Sequence, residues 1–191
     1  GFKVVTYSSV TRICRNAWDL DKTPGGSSGG AGAAVASGLG PLAIGTDGAG
    51  SIRIPSSFSG IFGLKPSFGR VAVYPPSPVP VIVHAGPMTR TVRDAALMLT
   101  ALAGPDERDL LSLPADTTDY LAACEGGLRG LRVAWSSTLG YAKVDPEVAR
   151  LTDAAARAFE SDLGARVEAV DPGFESPWET LSVLWITSYG L

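Results

Sequence analysis

The sequence predicts an α/β fold, and three observations predict it. Short apolar runs of strand character are separated by longer segments that repeat at helical spacing. Hydrophobic residues make up 45% of the 191 positions and charged residues 18%, a balance that supports a packed core rather than disorder. No internal repeat and no second domain stand out along the chain.

The elements follow in order. Ser28 to Leu39 is small and apolar, suited to a helix packed closely on its neighbours. Pro41-Leu42-Ala43-Ile44 reads as a short buried strand entering a glycine-rich turn, Gly45 to Ser51, and Ile61 to Leu64 reads as another strand stopped by Lys65-Pro66. Phe68 to Pro87 carries Pro75, Pro76, Pro78, Pro80 and Pro87, a spacing that forbids a regular ladder and predicts a loop with extended segments. Thr91-Val92-Arg93-Asp94 has capping-box form and opens a helix ending near Gly104-Pro105. Leu131 to Trp135 is a predicted strand. Asp145-Pro146 supplies an N-cap and an N1 proline for a helix carrying Val148, Leu151, Ala155, Phe159 and Leu163. Ala165 to Val170 alternates as a strand does, and Trp178 to Tyr189 reads as helical.

Charge and composition exclude several functions. Sixteen basic against nineteen acidic residues leave a net charge of −3, which gives nucleic acid or an anionic membrane no electrostatic purchase. No run of about 18 apolar residues is present to span a bilayer. Cys14 and Cys124 are far apart, and a single histidine, His84, argues against a metal site. The chain opens Gly1-Phe2-Lys3-Val4 with no methionine before Met88 and closes inside a helical pattern, so it reads as an internal piece, incomplete at both ends.

The chemistry concentrates between Thr23 and Pro66, where two serine sites sit among glycines. Ser27 and Ser28 lie in Gly25-Gly26-Ser27-Ser28-Gly29-Gly30, and Ser51 follows Asp47-Gly48-Ala49-Gly50. Glycines let main-chain N–H groups turn toward a reacting atom, which an oxyanion site beside a nucleophilic serine needs. A GGSSGG string alone is usually a flexible linker, but apolar sequence continues beyond it. A phosphate cradle is the other reading, and its GxxxxGK[ST] pattern is absent.

Taken together, GGSSGG, the small-residue helix, GTDxxGSIRxP, GLKPxxGR and Gly86-Pro87-Met88-Thr89-Arg90 resemble the amidase signature family, most strongly over residues 11–104 and more loosely beyond. The resemblance implies part of an α/β/α layered domain around a mixed sheet over residues 1–191. It also implies hydrolysis of a small-molecule carboxamide through a serine acyl-enzyme, without cofactor or metal. By it Ser51 is the nucleophile, and Ser27, after a cis peptide, is the bridging serine that relays the proton. Ser28 supports the network, Asp47 and Arg53 brace the turn, and the N–H groups of Gly48, Ala49, Gly50 and Ser51 form the oxyanion hole. It further implies a cytoplasmic enzyme, with room for homo-oligomers of the full-length protein. Two departures stand out: Ala49 replaces a glycine of the commonest pattern, and alanine resists positive φ; Ala17 replaces a common proline.

The family's general base is a buried neutral lysine upstream of GGSSGG, and neither Lys3 nor Lys22 fits its motif. Lys65 matches a family position with no base role, and His84 has no Asp partner suggested by spacing. The expectation is therefore that the base lies outside these residues and that the piece alone is inactive. The runner-up is the glutamine-hydrolysing component of a tRNA-dependent Glu/Asp-tRNA amidotransferase, which works with protein partners; there Ile54 stands where a glutamine is usual. A ureido- or carbamate-cleaving member is a third reading, and a non-catalytic binding module on a decayed hydrolase scaffold a fourth. Tyr74, Val79 and Val81 are candidates for the substrate entrance.

Overall fold

The computed structural model describes residues 3–115 and 117–189. Gly1, Phe2, Asp116, Gly190 and Leu191, and with them the chain opening and the chain end, lie outside the described residues. The chain is mixed α/β and divides into two compact units, Gly1–Cys124 and Glu125–Leu191, where the sequence showed no boundary.

The first unit begins with a small hairpin, β1 (Tyr7–Ser8) against β2 (Arg12–Ile13), followed by α1 (Gly29–Ala36), β3 (Leu42–Asp47) and α2 (Arg53–Ser59). Then come β4 (Phe62–Gly63), β5 (His84–Thr89), α3 (Val92–Leu102) and the single turn α4 (Tyr120–Ala123). Its sheet has the order β3-β5-β4 and is antiparallel throughout, with Leu42 opposite Thr89 and Asp47 opposite His84. The strand β5 is buried from Gly86 to Thr89, both faces included, as a central strand covered on two sides must be. Val35 of α1, Ile52, Met88 and the Ala95, Met98 and Leu99 side of α3 form the core. The capping box opens α3 as predicted: Thr91 Oγ1 accepts from the Asp94 N–H at 3.1 Å.

The second unit holds β6 (Arg132–Trp135), α5 (Pro146–Ser161), β7 (Arg166–Ala169) and α6 (Trp178–Tyr189). The two strands pair in parallel, Arg132 with Arg166 through Trp135 with Ala169, so α5 is the crossover that parallel pairing requires. Asp145 caps α5 by accepting from the Glu147 N–H at 2.8 Å, ahead of Pro146 in the first turn.

Three expectations are corrected and one helix is added. The strand expected to stop at Ile44 runs on to Asp47, because Gly45, Thr46 and Asp47 keep partners on β5. The Pro-rich stretch ends in a true strand, and Pro87 is part of it. A residue in an antiparallel ladder points its N–H and C=O to the same side. The Leu64 N–H donates to the Pro87 carbonyl at 3.0 Å, so the missing proline donor faces β4 and the β3 ladder stays whole. That missing donor explains why β4 ends at Gly63. Third, Val79 is only 1% exposed, which removes it from any entrance surface; Tyr74 and Val81 are exposed. Finally α2, directly after the expected nucleophile, was not foreseen.

Candidate active site

The strand β3 delivers Asp47 to the mouth of the short turn that leads into α2, and this carboxylate organises everything after it. One oxygen accepts from the Gly50 N–H at 2.6 Å and from Arg53 Nη2 at 3.0 Å. The other accepts from the Ile52 N–H at 3.1 Å, the Arg53 N–H at 3.4 Å and Arg53 Nε at 3.0 Å. Asp47 thus caps the start of α2 and grips Arg53 with both oxygens. Its side chain is fully buried while that of Arg53 is 55% exposed. Burial pushes the carboxyl up, but the bonds from Arg53, Gly50 and Ile52 outweigh it and hold the group down at about 2. Arg53 is raised in turn, chiefly by its bond to Asp47.

Ser51 sits between two residues held by that carboxylate and is 9% exposed. Gly50 has φ +115°, a conformation that side-chain-bearing residues avoid, and a Cβ there would run into Ile54. Ala49 is not among the positive-φ residues, so the alanine that departs from the commonest pattern sits without strain.

The second serine segment docks on this turn. The Ser28 N–H donates to the Ser51 carbonyl at 3.2 Å, and the Ser28 hydroxyl bridges the Thr46 main chain, accepting from its N–H at 3.1 Å and donating to its carbonyl at 3.3 Å. The Gly26–Ser27 peptide is cis. Thr6, just ahead of β1, ties the loop together: its hydroxyl donates to the Gly25 carbonyl at 3.0 Å and accepts from the Gly29 N–H at 3.1 Å. Among the described residues no hydrogen bond joins the Ser27 and Ser51 hydroxyls.

Ser28 and Ser51 meet through their main chains and Asp47 grips Arg53, while the Gly50 N–H, expected at an oxyanion, is directed into the Asp47 carboxylate and braces the turn. Lys65 Nζ donates to the carbonyl of its own neighbour Pro66 at 2.9 Å. His84 turns its Nδ1 to the main chain, toward the Asp47 and Ile82 carbonyls, and among the described residues it has no carboxylate partner. Thr6 was missed; a short polar residue some twenty positions upstream carries no signal of its own. Among the described residues no cluster of three or more metal-ligating side chains occurs, and no helix is long and apolar enough to cross a membrane.

The amidase family model matches residues 1–190. The chain belongs to the amidase family. This amidase-family chain is 47% identical over 182 residues to an acylamidase of Rhodococcus erythropolis, covering 91% of the chain and 37% of that protein. It is 49% identical over 172 residues to a glutamyl-tRNA(Gln) amidotransferase subunit from Rubrobacter xylanophilus, covering 86% of the chain and 34% of the relative. The crystal structure of a bacterial aryl acylamidase of the amidase signature family superposes with a TM-score of 0.87 at 42% identity, over 97% of this chain and 38% of the other. The chain thus spans little more than a third of the length of the relatives it matches.

Proposed function

We propose that this chain carries the nucleophile centre of an enzyme that hydrolyses small-molecule carboxamides through a serine acyl-enzyme. The observation that carries the reading is the Asp47 bracket, which fixes the main chain on both sides of Ser51 while Ser28 ties that serine to the GGSSGG loop. A nucleophile held in this way loses little freedom at the moment of attack, and orientation of that kind is a large part of rate acceleration. Ser51 Oγ bonds to the amide carbonyl carbon, and the N–H groups of Gly48, Ala49 and Ser51 stabilise the negative oxygen. The proton released by Ser51 passes through Ser27 to the leaving nitrogen, the C–N bond breaks, and the amine departs. Water then attacks the ester and releases the acid, restoring Ser51.

The base that takes the Ser51 proton and returns it through Ser27 is, by the resemblance to the amidase signature family, a lysine; Lys65, whose Nζ donates to the Pro66 carbonyl, and His84, whose Nδ1 faces main-chain carbonyls, do not take that role in this reading. The likeness to an acylamidase favours an acyl amide as substrate. The likeness to amidotransferase subunits supports glutamine hydrolysis as the second reading. Ile54 weighs against it: its side chain packs on Gly25 and Gly50, an apolar contact at the point where those subunits usually carry a glutamine. The test is turnover of small aryl amides and of glutamine by the protein that carries this chain, beside its Ser51→Ala variant. Loss of aryl-amide turnover and of labelling by a serine-directed phosphonate in that variant is expected. Unchanged turnover would refute Ser51 as the nucleophile.

A further inference from the structure

We infer that His84 is a positioning residue for the Ser51 turn, acting through the main chain of Asp47. The inference deepens the reading above and rests on it. His84 opens β5 directly across from Asp47, the last pair of the β3–β5 ladder. Its Nδ1 lies 3.2 Å from the Asp47 carbonyl oxygen and 2.9 Å from the Ile82 carbonyl oxygen. Carbonyl oxygens only accept, so Nδ1 must carry a proton, and that one N–H is shared between the two. The ring thereby fastens the segment entering β5 to the residue at which β3 turns away. Phe68 meets the ring edge-on, its centroid 5.6 Å away at 75°, which limits rotation of the imidazole about its own bond.

The consequence follows from what hangs on Asp47. Gly50, Ile52 and Arg53 are all held by its carboxylate, so a rotation of the Asp47 main chain would carry the nucleophile turn with it. Ladder pairing ends at this residue, and the imidazole bond takes over where the sheet no longer holds it. A bond that fixes a catalytic residue's support affects attack geometry more than substrate capture.

The experiment compares three substitutions in the protein that carries this chain. An asparagine amide nitrogen falls near the position of Nδ1, a glutamine amide nitrogen lies one methylene further out, and leucine has no donor. Thus H84L and H84Q are expected to lose about 10- to 100-fold in kcat with KM nearly unchanged, while H84N recovers most of that loss. If H84L does not fold, H84Q against H84N carries the same comparison. Equal kcat in H84N and H84Q, or losses matched by the fraction of unfolded protein, would overturn the inference. So would a loss confined to KM. Ser51→Ala run alongside separates the two ideas: activity surviving in that variant removes the nucleophile assignment, whereas an inactive S51A beside fully active H84Q removes only the role of His84.

Discussion

Removing the Asp47 side chain should both destabilise the protein and abolish turnover, and the size of the first effect can be worked from the site. In Asp47→Ala the Gly50 and Ile52 N–H groups lose their acceptor in a place closed to solvent. A buried donor left unpaired costs about 1–3 kcal/mol. Arg53 adds little, because its half-exposed guanidinium can return to water. The sum is about 2–6 kcal/mol, a large fraction of the 5–15 kcal/mol typical of a folded domain. Asp47→Asn keeps the shape and removes the charge, which isolates the electrostatic part. The native carboxyl titrates at about 2 against an ordinary value of 3.8, and each unit is worth about 1.4 kcal/mol, so the charge contributes on the order of 2 kcal/mol. Because the native value is the lower one, this contribution is complete above about pH 4 and is lost as pH falls through 2. Urea unfolding of wild type and both variants between pH 7 and pH 3 measures it. An Asp47→Ala protein within about 0.5 kcal/mol of wild type at pH 7 would refute the bracket. So would a wild-type advantage over Asp47→Asn that grows in acid.

Three further outcomes are expected. Ile52→Ala, at a fully buried position under Gly45 and Met88, should cost about 2–5 kcal/mol in chemical denaturation. Ser28→Ala removes the hydroxyl that bridges Thr46 and should lower stability by about 1–2 kcal/mol while cutting amide turnover, read by melting temperature and kcat together. Thr91→Ala uncaps α3 and should cost about 1 kcal/mol with kcat unaltered, which makes it a control for stability loss remote from the candidate site.

Much of the candidate site was legible because it is written in local sequence. Glycines crowd where the main chain must turn tightly, and the two serine segments are marked by them. The caps of α3 and α5 were equally readable, since Thr91 and Asp145 act within three residues of themselves. What escaped depends on partners distant in sequence or on orientation. The helix α2 is only seven residues long, holds Pro55 and three serines, and takes its cap from Asp47 five residues ahead of Ile52. Pro87 looked like a strand breaker because the side its missing donor would face is unknowable before the register is set. His84 invited a search for a carboxylate, whereas its partners are carbonyl oxygens brought there by β5 pairing with β3. The Gly50 N–H could serve either an oxyanion or Asp47, and only the turn's geometry distinguishes them.

The unstrained, solvent-exposed Ala49 has a consequence for variation and engineering. Because the left-handed demand of the turn falls on Gly50 alone, the position two before the candidate nucleophile is free to change side chain without reshaping the main chain. A larger residue there would project outward beside Ser51 rather than into the core. Saturation of this single codon is therefore a low-risk dial on what can approach the serine: valine or leucine narrows access for bulky acyl groups, and serine or asparagine offers a hydrogen-bonding foothold for polar ones. Selectivity could drift along this position in a lineage while the bracket beneath it stays as it is.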